Sequence, residues 1–231
     1  MYNQYHFNGG SLLVLLQEQE PFVLSGMSGT VIGSRNDDSI TLMGPESKIA
    51  LSGDGDDMIV SSFETDGMTG PAENYIYGGS GDDVIVSTGF TADEIFGGAG
   101  DDEIIIGSFV TNISGGEGSD TFTFMEISES YSASSINDLS FMEGDVINLS
   151  WLTSSGYVLE WDSTDPDFIA VESVSNPDYS EYKDGGDDGE DYWTAGYESG
   201  FQLDLYVFGL GEQIELIGGL ETALAEGYVL I

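Results

Sequence analysis

The sequence predicts an all-β protein with a parallel β-roll at its centre and a mainly antiparallel β-region towards the C-terminus. Three observations support this class. A motif rich in glycine and aspartate recurs along residues 33–120, a short run of β-branched or aromatic residues follows each copy, and helical periodicity is scarce outside "ALAEG" near the end. The predicted regions are an N-terminal capping strand region at 1–24, the roll at 25–124 and the C-terminal β-region at 125–231.

The repeat has a period of about nine residues. Its clearest copies are "GSRNDDSIT" at 33, "SGDGDDMIV" at 52, "GGSGDDVIV" at 78, "GGAGDDEII" at 97 and "GGEGSDTFT" at 115. The aspartates at their sixth positions are 19, 26, 19 and 18 residues apart. Weaker nonamers fill the gaps, namely "MGPESKIAL" at 43, "TGPAENYIY" at 69, "TGFTADEIF" at 88 and "IGSFVTNIS" at 106. Residues 61–68 fit neither series and are predicted to be an inserted loop.

Such a nonapeptide is typical of a calcium-binding parallel β-roll. The aliphatic residue at position eight points inward, glycines permit the turn, and the aspartate with nearby carbonyl groups faces a cation between neighbouring coils. Two nonamers form one coil, so turns about eighteen residues apart stack directly on one another. Carboxylate and carbonyl oxygens suit Ca²⁺, whereas Mg²⁺ requires a tighter octahedron and retains water. Isolated hairpin turns rich in Gly and Asp are the simpler alternative. The recurrence of several copies of the motif in register disfavours this alternative.

We call the stacked turns with aspartate at position six the aspartate edge, and predict about four Ca²⁺ there, one in each gap between successive turns. The predicted ligand positions are Gly33, Asn36, Asp38, Gly53, Gly55, Asp57, Gly78, Gly79, Gly81, Asp83, Gly97, Gly98, Gly100, Asp102, Gly115, Gly116, Gly118 and Asp120. The opposite edge carries Lys48, Asn74, Asp93 and Thr111 at position six. It also lacks the glycine at position four, so few ions or none are expected there.

Composition limits the function classes. The 231 residues are 40% hydrophobic, which is enough for a folded core, yet 43 acidic residues face only Arg35, Lys48 and Lys183. The formal net charge of −40 excludes nucleic acids and anionic membrane surfaces as partners. Halophilic adaptation would scatter the carboxylates, whereas many here recur in register with glycine. Without cysteine no disulfide forms, and the short apolar run Leu12–Leu16 predicts a strand rather than a signal peptide or a transmembrane segment.

No catalytic set is predicted. The chain has one histidine, His6, so an H-E-x-x-H zinc site is impossible, and a packing role is expected for this side chain. The acidic segment 162–193 leaves two alternatives open. It either holds another Ca²⁺ around Asp184, Asp187, Asp188 and Asp191, or forms a solvated loop, which its composition favours.

The last repeat and the segments after it resemble RTX proteins exported by type I secretion, most closely the C-terminal domain of serralysin-type metalloproteases. The resemblance rests on "GGEGSDTFTFMEISES", on "SINDLSFMEGDVINLS" and on the C-terminal stretch that ends in "ALAEGYVLI". Leu139 and Asn148 replace the family's usual Phe and Asp, and the spacing around Asp145 differs by about one residue. Asp138 and Asp145 are therefore not counted among the predicted ligands. The resemblance implies an uncleaved export signal at the C-terminus, for which the tail at 227–231 is expected to be required.

The sequence thus favours a secreted, non-catalytic module that binds Ca²⁺ and folds outside the cell after passage through a type I exporter. Alternatives are an adhesin that binds a polysaccharide, another surface or a protein, and an accessory tail of a larger secreted enzyme. Outward positions seven and nine include the apolar residues Ile49, Leu51, Tyr75, Tyr77 and Phe96. Apolar patches of this size are seldom left in water, so the N-terminal strand, the C-terminal half or a partner is expected to cover at least one face.

Overall fold

The computed structural model is a parallel β-solenoid of about five turns with little helix. It describes residues 2–6, 12–16, 21–63, 73–89, 92–107, 112–125, 132–154, 157–161, 168–173, 202–207 and 210–231. The chain alternates between two sheets, so each coil contributes one strand to each of them. All-β architecture and the parallel roll-like core, both predicted, are confirmed.

The first sheet has 11 strands in the spatial order β1-β2-β4-β6-β8-β10-β12-β14-β18-β17-β16. Their bounds are β1 Tyr2–His6, β2 Leu12–Leu16, β4 Gly29–Ile32, β6 Lys48–Asp54, β8 Tyr75–Ser80, β10 Glu94–Ala99, β12 Asn112–Glu117, β14 Ser132–Ile136, β16 Tyr157–Trp161, β17 Phe168–Ser173 and β18 Gln202–Val207.

The second sheet has 8 strands in the order β19-β15-β13-β11-β9-β7-β5-β3. Their bounds are β3 Phe22–Ser25, β5 Ser39–Met43, β7 Met58–Phe63, β9 Val84–Gly89, β11 Glu103–Ile106, β13 Thr121–Phe124, β15 Val146–Asn148 and β19 Val229–Leu230. Neighbouring strands from β3 to β19 in this sheet pair in parallel and without slips.

The core lies between the two sheets and is built from position eight of the nonamers. In the second sheet these residues are Ile40, Ile59, Ile85, Ile104 and Phe122, and in the first sheet Ala50, Ile76, Ile95 and Ile113; all are fully buried. Alternation along a strand sends every second side chain inward, so position eight of each nonamer contributes one side chain to the core. The inward orientation predicted for position eight is confirmed.

Both ends of the roll extend the sheets rather than wrap around them. The predicted strand at Leu12–Leu16 is β2, which pairs in parallel with β4 and antiparallel with β1. At the other end β14 and β18 pair in parallel, as do β15 and β19, whereas β16 and β17 run antiparallel to their neighbours. The described strands therefore do not show the mainly antiparallel C-terminal region that the sequence predicts.

The described ranges contain three helices, α1 Ser150–Ser154, α2 Leu210–Ile217 and α3 Leu220–Glu226. They bury Leu152, Leu210, Ile214 and Ala223 in the same core. The helix predicted at "ALAEG" is α3. The insertion predicted at 61–68 begins later, because residues 61–63 continue β7 in register with β9, and residues 64–68 lie outside the described residues. No helix in the described ranges is long and apolar enough to cross a membrane.

Candidate metal centre

The aspartate edge holds a continuous column of buried carboxyl groups. Parallel pairing in both sheets stacks the turns, and the position-six aspartates are at most 3% exposed. From Asp57 onward, one oxygen of each aspartate in the column accepts the backbone N–H of the aspartate one coil earlier, whereas Asp38 Oδ2 accepts the Ser34 N–H (2.6 Å). These bonds run from Asp38 N to Asp57 Oδ1 (2.6 Å), Asp57 N to Asp83 Oδ1 (2.8 Å), Asp83 N to Asp102 Oδ1 (2.8 Å), Asp102 N to Asp120 Oδ1 (3.0 Å) and Asp120 N to Asp145 Oδ1 (2.9 Å).

The second oxygen of most of these carboxyl groups is buried without a hydrogen bond. The unpartnered atoms are Asp38 Oδ1, Asp57 Oδ2, Asp83 Oδ2, Asp102 Oδ2 and Asp120 Oδ2. Buried polar atoms normally have a partner, and a buried anion without one carries a large desolvation cost. Each of these oxygens can therefore accept one further partner.

Glycine serves two different purposes in the motif. At positions two and four the backbone has φ between 114° and 133°, a region that side chains disfavour; the residues are Gly53, Gly55, Gly79, Gly81, Gly98, Gly100, Gly116 and Gly118. At position one φ is not positive, and the requirement is space. A Cβ at Gly97 would lie closer than 3.0 Å to both Asp102 Oδ2 and the carbonyl oxygen of Gly115.

Position one thus marks a small cradle in which a carboxylate oxygen of one turn converges with a carbonyl oxygen of the next. Gly78 has the same surroundings, formed by Asp83 Oδ2 and Gly97 O. Oxygen atoms of both kinds are the ligands that Ca²⁺ uses. The described residues contain no group of three or more His, Cys, Asp or Glu side chains placed to hold a metal ion. A cation here would therefore be held largely by backbone carbonyls together with the carboxylates, and the residues present fit such an ion.

One predicted gap differs from the others. At position one of the second turn stands Ser52, whose hydroxyl donates to the carbonyl oxygen of Tyr77 (3.1 Å) and to that of Gly78. Gly78 O is the counterpart of Gly97 O and Gly115 O in the following gaps. The gap between Asp57 and Asp83 thus already contains a hydroxyl group at the carbonyl that would face the cation.

The structure also adds residues that the sequence analysis left out. Asp145 continues the column in register, since Thr121 pairs with Val146, and its Oδ2 accepts the Ser140 N–H at 2.7 Å. Asp138 occupies position one of this last turn, and its Oδ1 accepts the Gly115 N–H at 3.0 Å. The last turn is two residues longer than the others, which is why spacing alone missed the match. A fifth gap, between Asp120 and Asp145, therefore follows the four that were predicted.

Burial raises the pKa values of five carboxyl groups of the column. Desolvation, reinforced by the charges of neighbouring aspartates, raises the pKa of Asp57 to about 6 and the pKa values of Asp83 and Asp102 to about 7. For Asp145 burial raises the pKa to about 6, and the pKa of Asp120 is raised by burial and by Asp138, Asp101 and Glu143. Hydrogen bonds from backbone N–H groups act in the opposite direction but do not prevail. The column is therefore a place where added positive charge is favoured.

A second row of carboxyl groups at position five lies outside the column and has a structural role. Asp37, Asp56, Asp82 and Asp101 each accept a backbone N–H from the next coil, at 2.8 to 3.2 Å. These carboxyl groups hold successive turns together from the solvent side. The predicted ligand Asn36 is exposed and bonds to Ser34 Oγ through its backbone N–H (3.2 Å), so its side chain does not join the column.

The opposite edge is held by hydrogen bonds between its own side chains. Asn74 accepts the Lys48 N–H (2.9 Å) and donates to Asp93 Oδ1 (3.0 Å), while Ser87 donates to Asp93 Oδ2 (2.7 Å). The Lys48 ammonium is buried and donates to the carbonyl groups of Gly44 (3.2 Å) and Glu46. Burial lowers the pKa of Lys48 and raises the pKa of Asp93.

Thr111 lies outside the described residues, as does most of the acidic segment 162–193, of which only Phe168–Ser173 in β17 is described.

Fold and edge together define the class as a parallel β-solenoid with an aspartate column along one edge. Comparison with protein-family models, with curated proteins and with solved structures found no match to this chain.

Replacing Gly97 by alanine is expected to destabilise the roll by about 2 kcal/mol, the cost of overpacking a tight site. The reason is the contact of the new methyl group with Asp102 Oδ2 and Gly115 O. Ser52→Ala is the matched control, because position one already carries a Cβ in that coil, and loss of its hydrogen bond should cost about 1 kcal/mol. Urea unfolding of both variants in calcium-containing buffer measures the difference. Equal effects would show that the position-one cradle has no special packing requirement.

Proposed function

We propose that this chain is a calcium-binding β-roll module of the RTX kind, non-catalytic, which folds when it meets extracellular Ca²⁺ after type I secretion. The observation that carries the proposal is the set of buried, unpartnered carboxylate oxygens on the aspartate edge, three of which, on Asp83, Asp102 and Asp120, lie beside a position-one glycine. At Gly78 and at Gly97 a carboxylate oxygen lies together with a carbonyl oxygen of the adjoining turn. Such hard ligands favour Ca²⁺ over softer metals.

Charge supports the same proposal. The chain has a formal net charge of −40, and the column places carboxyl groups of successive coils within hydrogen-bonding reach of the adjoining backbone. Ions bound between coils would neutralise charge where repulsion between carboxylates is strongest. Because an unfolded chain has no such gaps, the free energy of binding becomes free energy of folding.

Type I secretion is compatible with this coupling between calcium binding and folding. At low cytoplasmic Ca²⁺ the chain would remain unfolded and fit for export, and millimolar Ca²⁺ outside the cell would drive folding. In the folded chain the C-terminal tail forms β19, where Val229 is 4% exposed and Tyr228 stacks on Phe141 with ring centroids 5.1 Å apart. Leu230 and Ile231 are 39% and 59% exposed, so the folded tail is only partly buried, and Tyr228 and Val229 would be more accessible to an exporter before the roll forms. This order of events agrees with the C-terminal export signal that the sequence resemblance implies.

Titration calorimetry of the whole chain with CaCl₂ at pH 7.5 tests the proposal. We expect about four ions to bind, with dissociation constants of about 10⁻⁴ to 10⁻³ M, the range of extracellular sites. MgCl₂ in the same buffer is the control and should bind more weakly, because Mg²⁺ demands smaller octahedral sites. Absence of calcium binding, or equal binding of both ions, would refute the proposal.

A further inference from the structure

The outer face of the first sheet carries a cluster of apolar and aromatic side chains in two rows. Ile32, Leu51, Tyr77 and Phe96 are aligned across four strands, and Ile49 and Tyr75 stand beside them in the next row. We call these six residues the aromatic face. The rings of Tyr77 and Phe96 are stacked, with centroids 4.8 Å apart and planes within 6°. Since neighbouring strands in the sheet fix these side chains, the face is flat and preformed.

The described residues do not cover this face. Ile49, Tyr75 and Tyr77 are 37%, 39% and 38% exposed. Strands β1 and β2 extend the edge of the sheet, and β14, β18, β17 and β16 extend its other side, so the described chain ends lie beside the face and not on it. The expected cover by the N-terminal strand or the C-terminal half is thus not found in the described ranges.

An acidic groove adjoins the face. It encloses about 300 Å³ and is lined by Glu73, Asn74, Tyr75, Ala92, Glu94 and Asn112. Glu94 lies next to Tyr75 in the register of the sheet, so a carboxylate stands directly beside an exposed ring. Among the described bases, Arg35 pairs with Asp54 (3.9 Å), and the Lys48 ammonium donates to the carbonyl groups of Gly44 and Glu46 although its backbone N–H bonds to Asn74 of the groove. Within the described residues, neither Glu73 nor Glu94 pairs with an ammonium or guanidinium group.

We propose that the aromatic face and its acidic groove bind a cationic, partly apolar segment of a partner protein, with an arginine or lysine head in the groove. A guanidinium or ammonium group in the groove would meet the Glu73 and Glu94 carboxylates and the ring of Tyr75, an arrangement that combines charge pairing with cation–π attraction. Apolar side chains of the same segment would cover Tyr77, Phe96 and Leu51. The strongly negative chain would also speed the encounter with a cationic partner.

Charge favours a cationic partner over the other possible occupants of the aromatic face. A second copy of the chain would bring a further formal charge of −40 to the face, and anionic polymers meet the same repulsion. A neutral glycan would use the aromatic rings but has no charge to pair with the groove carboxylates. The outer face of the second sheet serves as an internal comparison. Its apolar residues Val60, Val84 and Val86 lack aromatic neighbours, and the proposal does not extend to it.

Calorimetry with the folded chain in about 5 mM CaCl₂ tests the proposal with three probes. They are a short peptide of alternating arginine and leucine, its analogue with citrulline in place of arginine, and cellohexaose. The test variant combines Glu73→Gln with Glu94→Gln in the groove. Its control combines Glu103→Gln with Glu212→Gln, which removes the same amount of charge from the second sheet and from α2. A second pair is Tyr77→Ser against Val86→Ser, both at position nine. Circular dichroism checks that each variant is folded under these conditions. Because only folded variants are compared, the result for the peptide does not depend on which cation binds the aspartate edge.

We expect the arginine peptide to bind, the citrulline peptide to bind at least fivefold more weakly, and higher salt to weaken binding. The groove pair should reduce affinity about tenfold and Tyr77→Ser about threefold, while both control variants leave it within twofold. Equal losses in the groove and control pairs would mean diffuse attraction to an acidic protein and would overturn the proposal. So would absence of binding, or binding of cellohexaose that Tyr77→Ser abolishes, which would assign the face to a glycan.

Discussion

In metal-free buffer at pH 8 the chain is expected to lose most of its far-ultraviolet β-sheet signal, and lowering the pH to about 5.5 should restore part of it. Burial raises the pKa of Asp83 and of Asp102 to about 7, and the pKa values of Asp57 and Asp145 to about 6, above the ordinary value of 3.8. The folded column therefore holds protons that the unfolded chain releases at the same pH.

The direction of the pH effect follows from linkage. A carboxyl group whose pKa is raised by folding stabilises the fold below that raised pKa, and the stabilisation is lost as the pH rises through it. Between about pH 5 and pH 8 the stability of the metal-free chain should thus fall as pH rises. In saturating Ca²⁺ the trend should weaken or reverse, because cations compete with protons for the same oxygens.

Urea midpoints from pH 5.5 to 8, with and without Ca²⁺, measure both trends. The control is the double variant Asp83→Asn with Asp102→Asn, in which the metal-free trend through pH 6 to 7 should be smaller because two titrating groups are gone. A native spectrum in metal-free buffer at pH 8, or stability that rises with pH there, would contradict the prediction.

Replacing Asp83 by asparagine should raise the Ca²⁺ concentration needed for half-maximal folding by about tenfold or more, since even indirect support of a metal ligand is worth 10-fold to 100-fold. Asp83 takes part in two gaps, because its Oδ1 accepts the Asp57 N–H and its unpartnered Oδ2 faces the cradle at Gly78. The amide keeps the shape of the side chain but removes the charge from the column. In metal-free buffer the same change should not destabilise the chain, because it relieves repulsion.

Asp93→Asn is the matched control on the opposite edge. Asp93 is also at position six and fully buried, but both of its oxygens accept hydrogen bonds, from Asn74 and Ser87. Its amide could donate to the Ser87 hydroxyl, and loss of a buried charge offsets part of any cost. We expect the calcium midpoint to change by less than about twofold, within the effect of one rearranged hydrogen bond. Circular dichroism during calcium titration measures the midpoint of both variants. Equal shifts in the two midpoints would show that the two edges do not differ in metal binding.

The nonamer period was sufficient to predict the roll, because a glycine-rich turn and an apolar residue at position eight recur from Gly33 to Phe122 with one insertion, predicted at 61–68. Ile59, Ile85 and Ile104 fill the core as the period predicts, since strand geometry leaves one face of each short strand pointing inward. The same period correctly placed the aspartates in one column and Lys48, Asn74 and Asp93 on the other edge. Local sequence is informative here because each coil contacts mainly the coils before and after it.

Contacts between residues distant in the sequence could not be predicted in this way. Asp145 joins the column although its turn is two residues longer, since pairing of β13 with β15 fixes its register and not the spacing within the turn. The period also gave no reason to expect Ser52 to occupy the gap beside Gly78 or Val229 to return as an edge strand next to β15. Likewise, only the stacked coils leave Asp83 Oδ2 and Asp102 Oδ2 buried without a partner, because the burial of each oxygen depends on the turn that follows it.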